Sequence, residues 1–575
     1  MSLPLEAAPA VPSDPPKLDD WFAGLGDDFA GRMAAGALRA GMSDGWRVRW
    51  RGRELELQVD ADFPFSAPRI YLVGYARAQA QPHVERDGKL CLGSKPVPGD
   101  GIATVKAALA AAFRLLAENE TKQHDDDFRE DFGLYWLNWS SDTDLLAEVL
   151  PGPEGTTQCR LVRAVQTKNR AFVLPSKADA ARFWTNRTGA APKWLKTTAL
   201  IPIDPLPAPH RYPDTAAELW TLVEARTRGG TDLLARLVDN DPKEFFVVLA
   251  GRAPSGREHY AALRIRRPLD RAGLPLKRRI LRQGLERAEN PMRTLFGRFR
   301  IERLATDRLD ASSSRLPEGL QRQMAAAKVL VVGCGALGSG VARMLAQAGV
   351  DHLRLVDPDS LGWENIRRHE LGADHVGHGK ARSLANAIRA ALPLIGFVEG
   401  YQTTFATFAR EHSEALNDTD LIVSCTGDWT ADASVELALT RLGRKGLAVY
   451  GWMERHALAS HALLLGSAGA KLADGFDEHG NPRLPVVAGG KPPPPECGGA
   501  STTFGAVELA HAQALVVRLA IDALRGLETA PAWHSWIADV VAFEEAEASV
   551  ASGWAVSRGQ PGNMGGLFVG DWSFT

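Results

Sequence analysis

Apolar and polar positions recur with different periods along the chain. Near the N-terminus Trp21, Phe22, Leu25 and Phe29 stand at helical spacing, which predicts a helix over 18–40. Strands are expected next at 46–50, 54–59 and 69–73, the second with apolar residues on alternate positions. Between the last two lies Asp62-Phe-Pro-Phe-Ser-Ala-Pro68, whose prolines enforce an extended crossing. A turn-rich loop occupies 81–93, and helical periodicity returns over 104–118, through Val105, Leu109, Phe113 and Leu116, and again over 128–137. Pro151-Gly-Pro-Glu-Gly155 has the composition of a linker. Beyond it, apolar runs at 160–165, 171–174, 200–203, 245–250 and 260–264 alternate with helical stretches at 178–184, 215–225 and 231–238. That pattern predicts a small α/β or α+β domain acting as a spacer or docking module.

The pattern changes again after residue 300. A β-branched run from Val329 to Val332 ends in Gly333, Gly335 and Gly338, and a helical pattern follows through Val341, Leu345 and Val350. A second strand over 353–356 delivers Asp357 at its end, and a third over 420–424 leads into Cys425-Thr-Gly-Asp428. A long helix is expected over 504–527, a closing strand over 536–543 and a glycine-rich tail over 553–575. The expected organisation is a tail (1–17), a first module (18–150), a middle domain (151–300) and a third module (301–575), of α/β and α+β class.

Composition narrows the function classes. A chain of 575 residues, 45% apolar and 24% charged, can bury several cores. A net charge of -2 gives no reason to expect nucleic acid or an anionic membrane as partner. No apolar run reaches the roughly 18 residues of a membrane helix, and Met1–Pro16 lacks the basic start and apolar core of a signal peptide. Five cysteines with no CxxC pair argue against a disulfide framework and a zinc site. A cytoplasmic protein with free thiols is expected. Cys159, Cys334 and Cys425 read as packing residues, and Lys277-Arg-Arg279 as a solvated helix face.

Three stretches carry candidate chemistry. The strand, glycine turn and helix start at 329–341 form a phosphate cradle: glycines admit close backbone approach, and the helix N-terminus offers unpaired N–H groups. Asp357 can then hold a ribose hydroxyl, a pattern shared by NAD and ATP sites. In the loop 81–93, Cys91 follows a Gly88 turn, the Pro82-His83 pair and charged neighbours, surroundings in which a thiolate can form. Cys497 lies in Gly489-Gly-Lys-Pro-Pro-Pro-Pro-Glu-Cys-Gly-Gly-Ala-Ser-Thr-Thr503, a loop that cannot be helix or central strand. The long helix beyond it has an N-terminal end that lowers the pKa of a nearby thiol.

The first module resembles the ubiquitin-conjugating enzymes. The resemblance rests on a helix, a three-strand meander, "FPFSAPRI", "QPHVERDGKLCLG" and the helix "TVKAALAAAFRLLAENE". It implies the conjugating fold for 18–150 and places the thioester cysteine at Cys91. The family's His-Pro-Asn motif aligns with Gln81-Pro82-His83, so His83 holds the asparagine position associated with attack on the thioester. An imidazole there can donate a hydrogen bond or act as a base. The family's tryptophan soon after the cysteine is absent.

The third module resembles the adenylating enzymes related to ThiF, MoeB and the ubiquitin-activating enzymes. Here the stretch "LVDPDSLGWENIRRHELGADHVGHGKA" supplies Asp357, Asp359, Asn365, Arg367, Arg368 and Lys380 in the family's order. The resemblance implies a Rossmann-like fold that binds ATP and Mg²⁺, with Arg368 and Lys380 neutralising the triphosphate and Asp428 approaching the metal. It also implies a homodimer in which an arginine, Arg308 or else Arg303 or Arg315, reaches the other copy's nucleotide, and thioester capture by Cys497. The paired zinc cysteines usual in sulfur-carrier adenylyltransferases are missing.

The combination resembles bacterial fusions of ubiquitin-activating and ubiquitin-conjugating enzymes, such as those of anti-phage cyclic-oligonucleotide (CBASS) operons. It implies activation of a protein C-terminal carboxylate, from a cGAS-like nucleotidyltransferase or a ubiquitin-like protein. Capture on Cys497, transfer to Cys91 and ligation to a target lysine would follow. The alternatives are a sulfur-carrier-type adenylyltransferase with a docking N-terminal module, and a nucleotide-sensing scaffold without enzymatic activity. An NAD oxidoreductase ranks behind both, given Arg368, Lys380 and Asp428.

Overall fold

The computed structural model describes residues 15–93, 95–97, 99–121, 125–152, 157–240, 243–310, 317–442, 446–467, 469–478, 480–490, 504–558 and 565–572. The chain forms two units. One runs to Ala180 and includes Lys193–Leu309; the other comprises Ala181–Pro192 and the chain from Asp310 onward.

The first unit begins with an antiparallel sheet of four strands in sequence order, Phe29–Arg32, Asp44–Trp50, Arg53–Val59 and Arg69–Leu72. Three of these match the expected meander. The first does not: the predicted helix over 18–40 ends at Ala23, and Phe29–Arg32 is a strand beside Trp46–Val48. Gly24 and Gly26 follow the helix, and Gly26 takes a φ of 61° that continues no helix. Phe29 had fitted the helical period because its ring reaches the same core from a strand, stacked 6.0 Å from Phe22, which itself stacks 4.9 Å from Trp46. Helix Gly101–Thr121 covers this sheet with Val105, Ala108, Leu109, Ala112 and Leu116.

The same unit contains a closed barrel of seven strands. Around the barrel these are Glu258–Arg266, Arg300–Arg308, Leu146–Val149, Arg170–Leu174, Arg160–Gln166, Lys196–Pro202 and Glu244–Arg252. Five of them are the strands expected between 160 and 264. The other two come from stretches that the sequence assigned to the modules on either side. Leu146–Val149 runs parallel to both Arg300–Arg308 and Arg170–Leu174, so these two added strands are what close the sheet. Helix Phe132–Asn138 buries Phe132 and Trp136 in the barrel's outer core, and Trp136 Nε1 donates to Leu304 O at 2.8 Å.

The second unit is built on an eight-stranded sheet. Five parallel strands come first, in the spatial order Phe397–Tyr401, His352–Val356, Lys328–Val332, Leu421–Ser424 and Leu447–Met453. Ala459–Gly466, Ala532–Ile537 and Gly566–Gly570 extend it antiparallel. The apolar run Val329–Val332 is explained by cover on both faces. Val329 and Val331 pack under helices Ala336–Gln347, Lys380–Ala391 and Ala506–Arg525, while Leu330 and Val332 face a separate core.

Two expectations at the C-terminal end are corrected. The closing strand is Ala532–Ile537, and Val540–Glu545 is a helix capped by Asp539. The stretch 553–575 is not simply a glycine-rich tail: helix Ser552–Arg558 runs into it and strand Gly566–Gly570 lies within it. Trp572 is buried there against Trp452, Phe476 and Trp533. Among the described residues no helix is long and apolar enough to cross a membrane.

Candidate active sites

The glycine turn of the second unit is shaped by contacts that leave no room for side chains at Gly333 and Gly338, while Gly335 faces open space. Gly333 sits at φ 83° and donates its N–H to Val356 O at 2.8 Å. A Cβ at Gly333 would lie 2.8 Å from the Cys425 carbonyl, and one at Gly338 would lie 1.8 Å from Gly333 O. Gly335 precedes the first turn of helix Ala336–Gln347. Asp357, at the end of the neighbouring strand, holds this turn: Oδ2 accepts from Cys334 N at 2.6 Å and Oδ1 from Asp359 N at 2.8 Å. Burial raises its carboxyl above the usual range. Each oxygen keeps a further lone pair for a hydroxyl.

Cations and a second carboxylate stand on the following elements. Lys380 opens helix Lys380–Ala391, is 8% exposed, and places Nζ 3.0 Å from Asp359 Oδ2. Arg368 ends the short turn Trp363–Arg368, with its guanidinium carbon 5.2 Å from the centroid of the Phe504 ring. Asn365 shapes that turn by accepting from Gly362 N at 3.0 Å. Asp428 is exposed; its Oδ1 accepts from Ala431 N at 2.8 Å, at the start of helix Trp429–Leu442. Its other carboxylate oxygen takes no hydrogen bond among the described residues.

Two residues that no sequence motif marks belong to this region. His369 Nε2 lies 2.7 Å from Cys334 O and Nδ1 accepts from Leu371 N at 3.0 Å, so the ring is a neutral Nε2–H tautomer and burial holds its pKa down. Asp432 accepts from Ser424 Oγ at 2.6 Å and Thr426 Oγ1 at 2.8 Å, and burial pushes its carboxyl up to about 6. Only adjacency to the Arg367-Arg368 pair and to Asp428 could have flagged them. Cys334 and Cys425 are buried, as expected of packing residues.

In the first unit, Cys91 lies at the open end of a tight loop. Val84 bridges Leu90, Cys91 N donates to His83 O at 2.8 Å, and Glu85 N donates to Lys89 O at 2.8 Å. Gly88, at φ 87°, makes the turn, and a Cβ there would fall 2.3 Å from Leu72 O. His83 has φ 58°, a left-handed conformation that costs energy in a non-glycine residue. The buried Tyr135 hydroxyl holds it there by accepting from His83 N at 2.7 Å, and Asn119 Nδ2 donates to Pro82 O at 3.0 Å. The His83 ring is exposed and makes no side-chain hydrogen bond among the described residues.

Cys91 is exposed, with Sγ 3.5 Å from Glu85 Oε1, and that carboxylate also takes Lys89 Nζ at 2.9 Å. Desolvation by the surrounding protein raises the thiol pKa, the Glu85 charge adds to this, and Lys89 opposes it. The loop and its cysteine are legible in the sequence; the contacts of Tyr135, Asn119 and Glu85 with it are not.

The remaining expected residues fall elsewhere. Arg308 ends a barrel strand, donates to Glu258 O at 3.4 Å and sits 5.8 Å over the Tyr260 ring. Arg303 bonds Trp139 O at 2.9 Å and pairs with Asp214. Arg315 and Cys497 lie outside the described residues.

Comparison with known proteins assigns both regions. The model of the ThiF family matches residues 309–448 and that of the prokaryotic E2 family B matches residues 32–143. The chain joins a prokaryotic E2 family B domain to a ThiF family domain. The first carries Cys91 and His83; the second carries the glycine turn, Asp357, Arg368, Lys380 and Asp428. The chain is 25% identical over 404 residues to the ATP-dependent ubiquitin transferase-like protein Cap2 of Pseudomonas aeruginosa, covering 66% of this chain and 68% of that one. It is 35% identical over 101 residues to the protein of the same name in Enterobacter hormaechei, with 18% of this chain and only 17% of that one aligned. A mouse protein, adenylyltransferase and sulfurtransferase MOCS3, is 51% identical over 70 residues, 12% of this chain and 15% of its own.

The ThiF-family site fits a nucleoside triphosphate. Its turn packs against the protein's own backbone at Gly333 and Gly338 and is open at Gly335, where a phosphate would approach the N-terminus of helix Ala336–Gln347; Lys380, on Asp359, and Arg368, on the turn Trp363–Arg368, bring positive charge to the region. The open oxygen of Asp428 is a hard donor of the kind Mg²⁺ takes alongside waters and substrate phosphates.

Proposed function

We propose that this chain uses ATP to activate a protein's C-terminal carboxylate and passes the acyl group through cysteine thioesters to an amine. The observation that carries this reading is the pairing, in one chain, of a nucleotide cradle with an exposed cysteine at the open end of a clamped E2-type loop. The carboxylate oxygen would attack the α-phosphorus of ATP and release pyrophosphate, with Arg368 and Lys380 balancing the phosphate charge. Mg²⁺, with Asp428 among its donors, would shield the triphosphate as it reacts. Cys497 would then displace AMP to form a thioester, Cys91 would take the acyl group from Cys497, and a lysine amine would displace Cys91. Covalent capture divides one acyl transfer into easier steps. His83, exposed beside Cys91, is the candidate to bond or deprotonate the attacking amine.

Within this reading the activated protein is a cGAS-like nucleotidyltransferase or a ubiquitin-like protein. The acceptor is a lysine on a target protein, and the setting is anti-phage defence in the bacterial cytoplasm. The active form is a homodimer in which Arg308 reaches the nucleotide of the second copy. The test is exchange of pyrophosphate into ATP, dependent on Mg²⁺ and the carboxylate protein and dropping sharply in Asp428→Ala, together with a thiol-reducible adduct. In Cys91→Ala the adduct is expected on Cys497 with no lysine product; in Cys497→Ala adenylation persists and neither cysteine loads. Loading of Cys91 in Cys497→Ala would replace the relay with direct attack on the adenylate. The short mouse match favours a second reading, sulfur-carrier-type adenylation with a docking first module; exchange without any thioester on Cys91 would establish it.

A further inference from the structure

One end of the barrel gathers charge that the chemistry above does not use. Its strands Lys196–Pro202, Glu244–Arg252, Glu258–Arg266 and Arg300–Arg308 end there in Lys196, Glu244, Arg266 and Arg300. Arg266 is directly opposite Glu244 on one side and Arg300 on the other. Lys243 and Arg267 extend the same end by one residue, tied by Arg267 N to Lys243 O at 3.0 Å. With Leu269 and Pro275 these residues line a cleft of about 500 Å³, in which five cations meet one carboxylate.

Part of that charge is balanced within the barrel. Lys196 pairs with Glu244, and Arg266 shares Glu302 with Arg264. Lys243 and Arg300 have no carboxylate partner among the described residues, and both are exposed. Arg266 and Arg300 stand opposite each other across a strand pair, an arrangement in which like charges repel. A bridging anion would relieve it. The wall of the cleft is preformed: Leu276 N donates to Pro268 O at 2.9 Å, Asp270 N to Leu274 O at 2.8 Å, and Asp270 Oδ1 accepts from Ala272 N and Leu274 N at 2.9 and 3.0 Å.

We infer that this end of the barrel binds a small molecule carrying two or more phosphates, held by Arg300, Lys243 and Arg266 with its apolar part against Leu269 and Pro275. Guanidinium groups match phosphate oxygens in paired geometry, and the volume lies in the range of small-ligand sites. An extended acidic peptide fits less well, because a closed barrel offers no strand edge to extend. Nucleic acid fits less well too, since the cations form one cluster on a chain whose net charge is -2.

The test uses the full-length protein carrying Lys380→Ala, which weakens nucleotide binding at the ThiF-type site and leaves the barrel intact. Calorimetric titration with mant-ADP and with inorganic tripolyphosphate is compared before and after adding Lys243→Ser and Arg300→Ser. Neither substitution breaks an ion pair, so the melting temperature is expected to hold. Binding of either probe should weaken about tenfold or more and should weaken further with salt; a preference for mant-ADP would show that the apolar wall takes the base. Absence of binding by both probes, binding indifferent to Lys243→Ser and Arg300→Ser, or tighter binding of polyglutamate or an RNA duplex would each overturn the inference.

Discussion

At Cys91 the immediate neighbours set the thiol's reactivity, and they pull in opposite directions. Desolvation and the Glu85 carboxylate favour the protonated thiol, while Lys89 favours the thiolate. Glu85→Gln should therefore shift the pH profile of iodoacetamide labelling at Cys91 to lower pH, and Lys89→Ala should shift it higher; identical profiles would remove Glu85 from the electrostatics of the site. Asp432 offers a second titration. Its carboxyl is pushed up to about 6 by burial, whereas an unfolded aspartate titrates near 3.9. Between about pH 4 and pH 6 the folded protein thus holds a proton that the unfolded chain has released. The stability this contributes is full below about pH 4 and is lost as pH rises through about 6. Melting temperatures across this window should fall less steeply in Asp432→Asn than in the parent, because the amide cannot ionise. Both aspects were hidden from the sequence: Cys91 was readable as an exposed loop cysteine, but the bearing of Glu85 and Ser424 on their neighbours depends on distances that spacing does not encode.

Elements with a strong period were legible, and elements defined by their partners were not. The apolar run Val329–Val332 and the glycines after it identified a buried strand and a turn, because burial on two faces and exclusion of Cβ leave direct traces in residue type. The strand Phe29–Arg32 left no such trace, since Phe29 satisfied a helical spacing by chance of geometry. The C-terminal end misled in the opposite way. Glycines suggested a tail, yet Gly566–Gly570 pairs residue by residue with Trp533–Ile537 at the edge of the sheet. Trp572 beyond it donates Nε1 to Lys471 O at 2.8 Å and packs on Trp533 at 5.0 Å between ring centroids. That burial predicts a cost of about 3–5 kcal/mol for Trp572→Ala, measurable by denaturant unfolding of the full chain. A change below about 0.5 kcal/mol would mean that this end contributes nothing to the fold.

On the scale of the whole molecule, the expected three-module division departs from what the strands do. The linker at 151–155 and the change of pattern near 300 were sound signals of composition, but a barrel closes only when every strand finds two neighbours. Leu146–Val149 is four residues long, too short for periodicity to register, and it supplies the parallel partner for both Arg170–Leu174 and Arg300–Arg308. The sequence could show that strands were present but not which distant strands complete them. A fragment covering 151–300 lacks Leu146–Val149 and all but the first residue of Arg300–Arg308, which exposes the free edges of Arg170–Leu174 and Glu258–Arg266. It also lacks Phe132 and Trp136 from the core. Such a fragment should aggregate or give no cooperative melting transition. A fragment covering 125–309 retains all seven strands and helix Phe132–Asn138, and it should unfold in a single transition by circular dichroism. If 151–300 melted as cooperatively as 125–309, barrel closure would not be what stabilises this part of the chain, and the boundaries suggested by composition would be the physical ones.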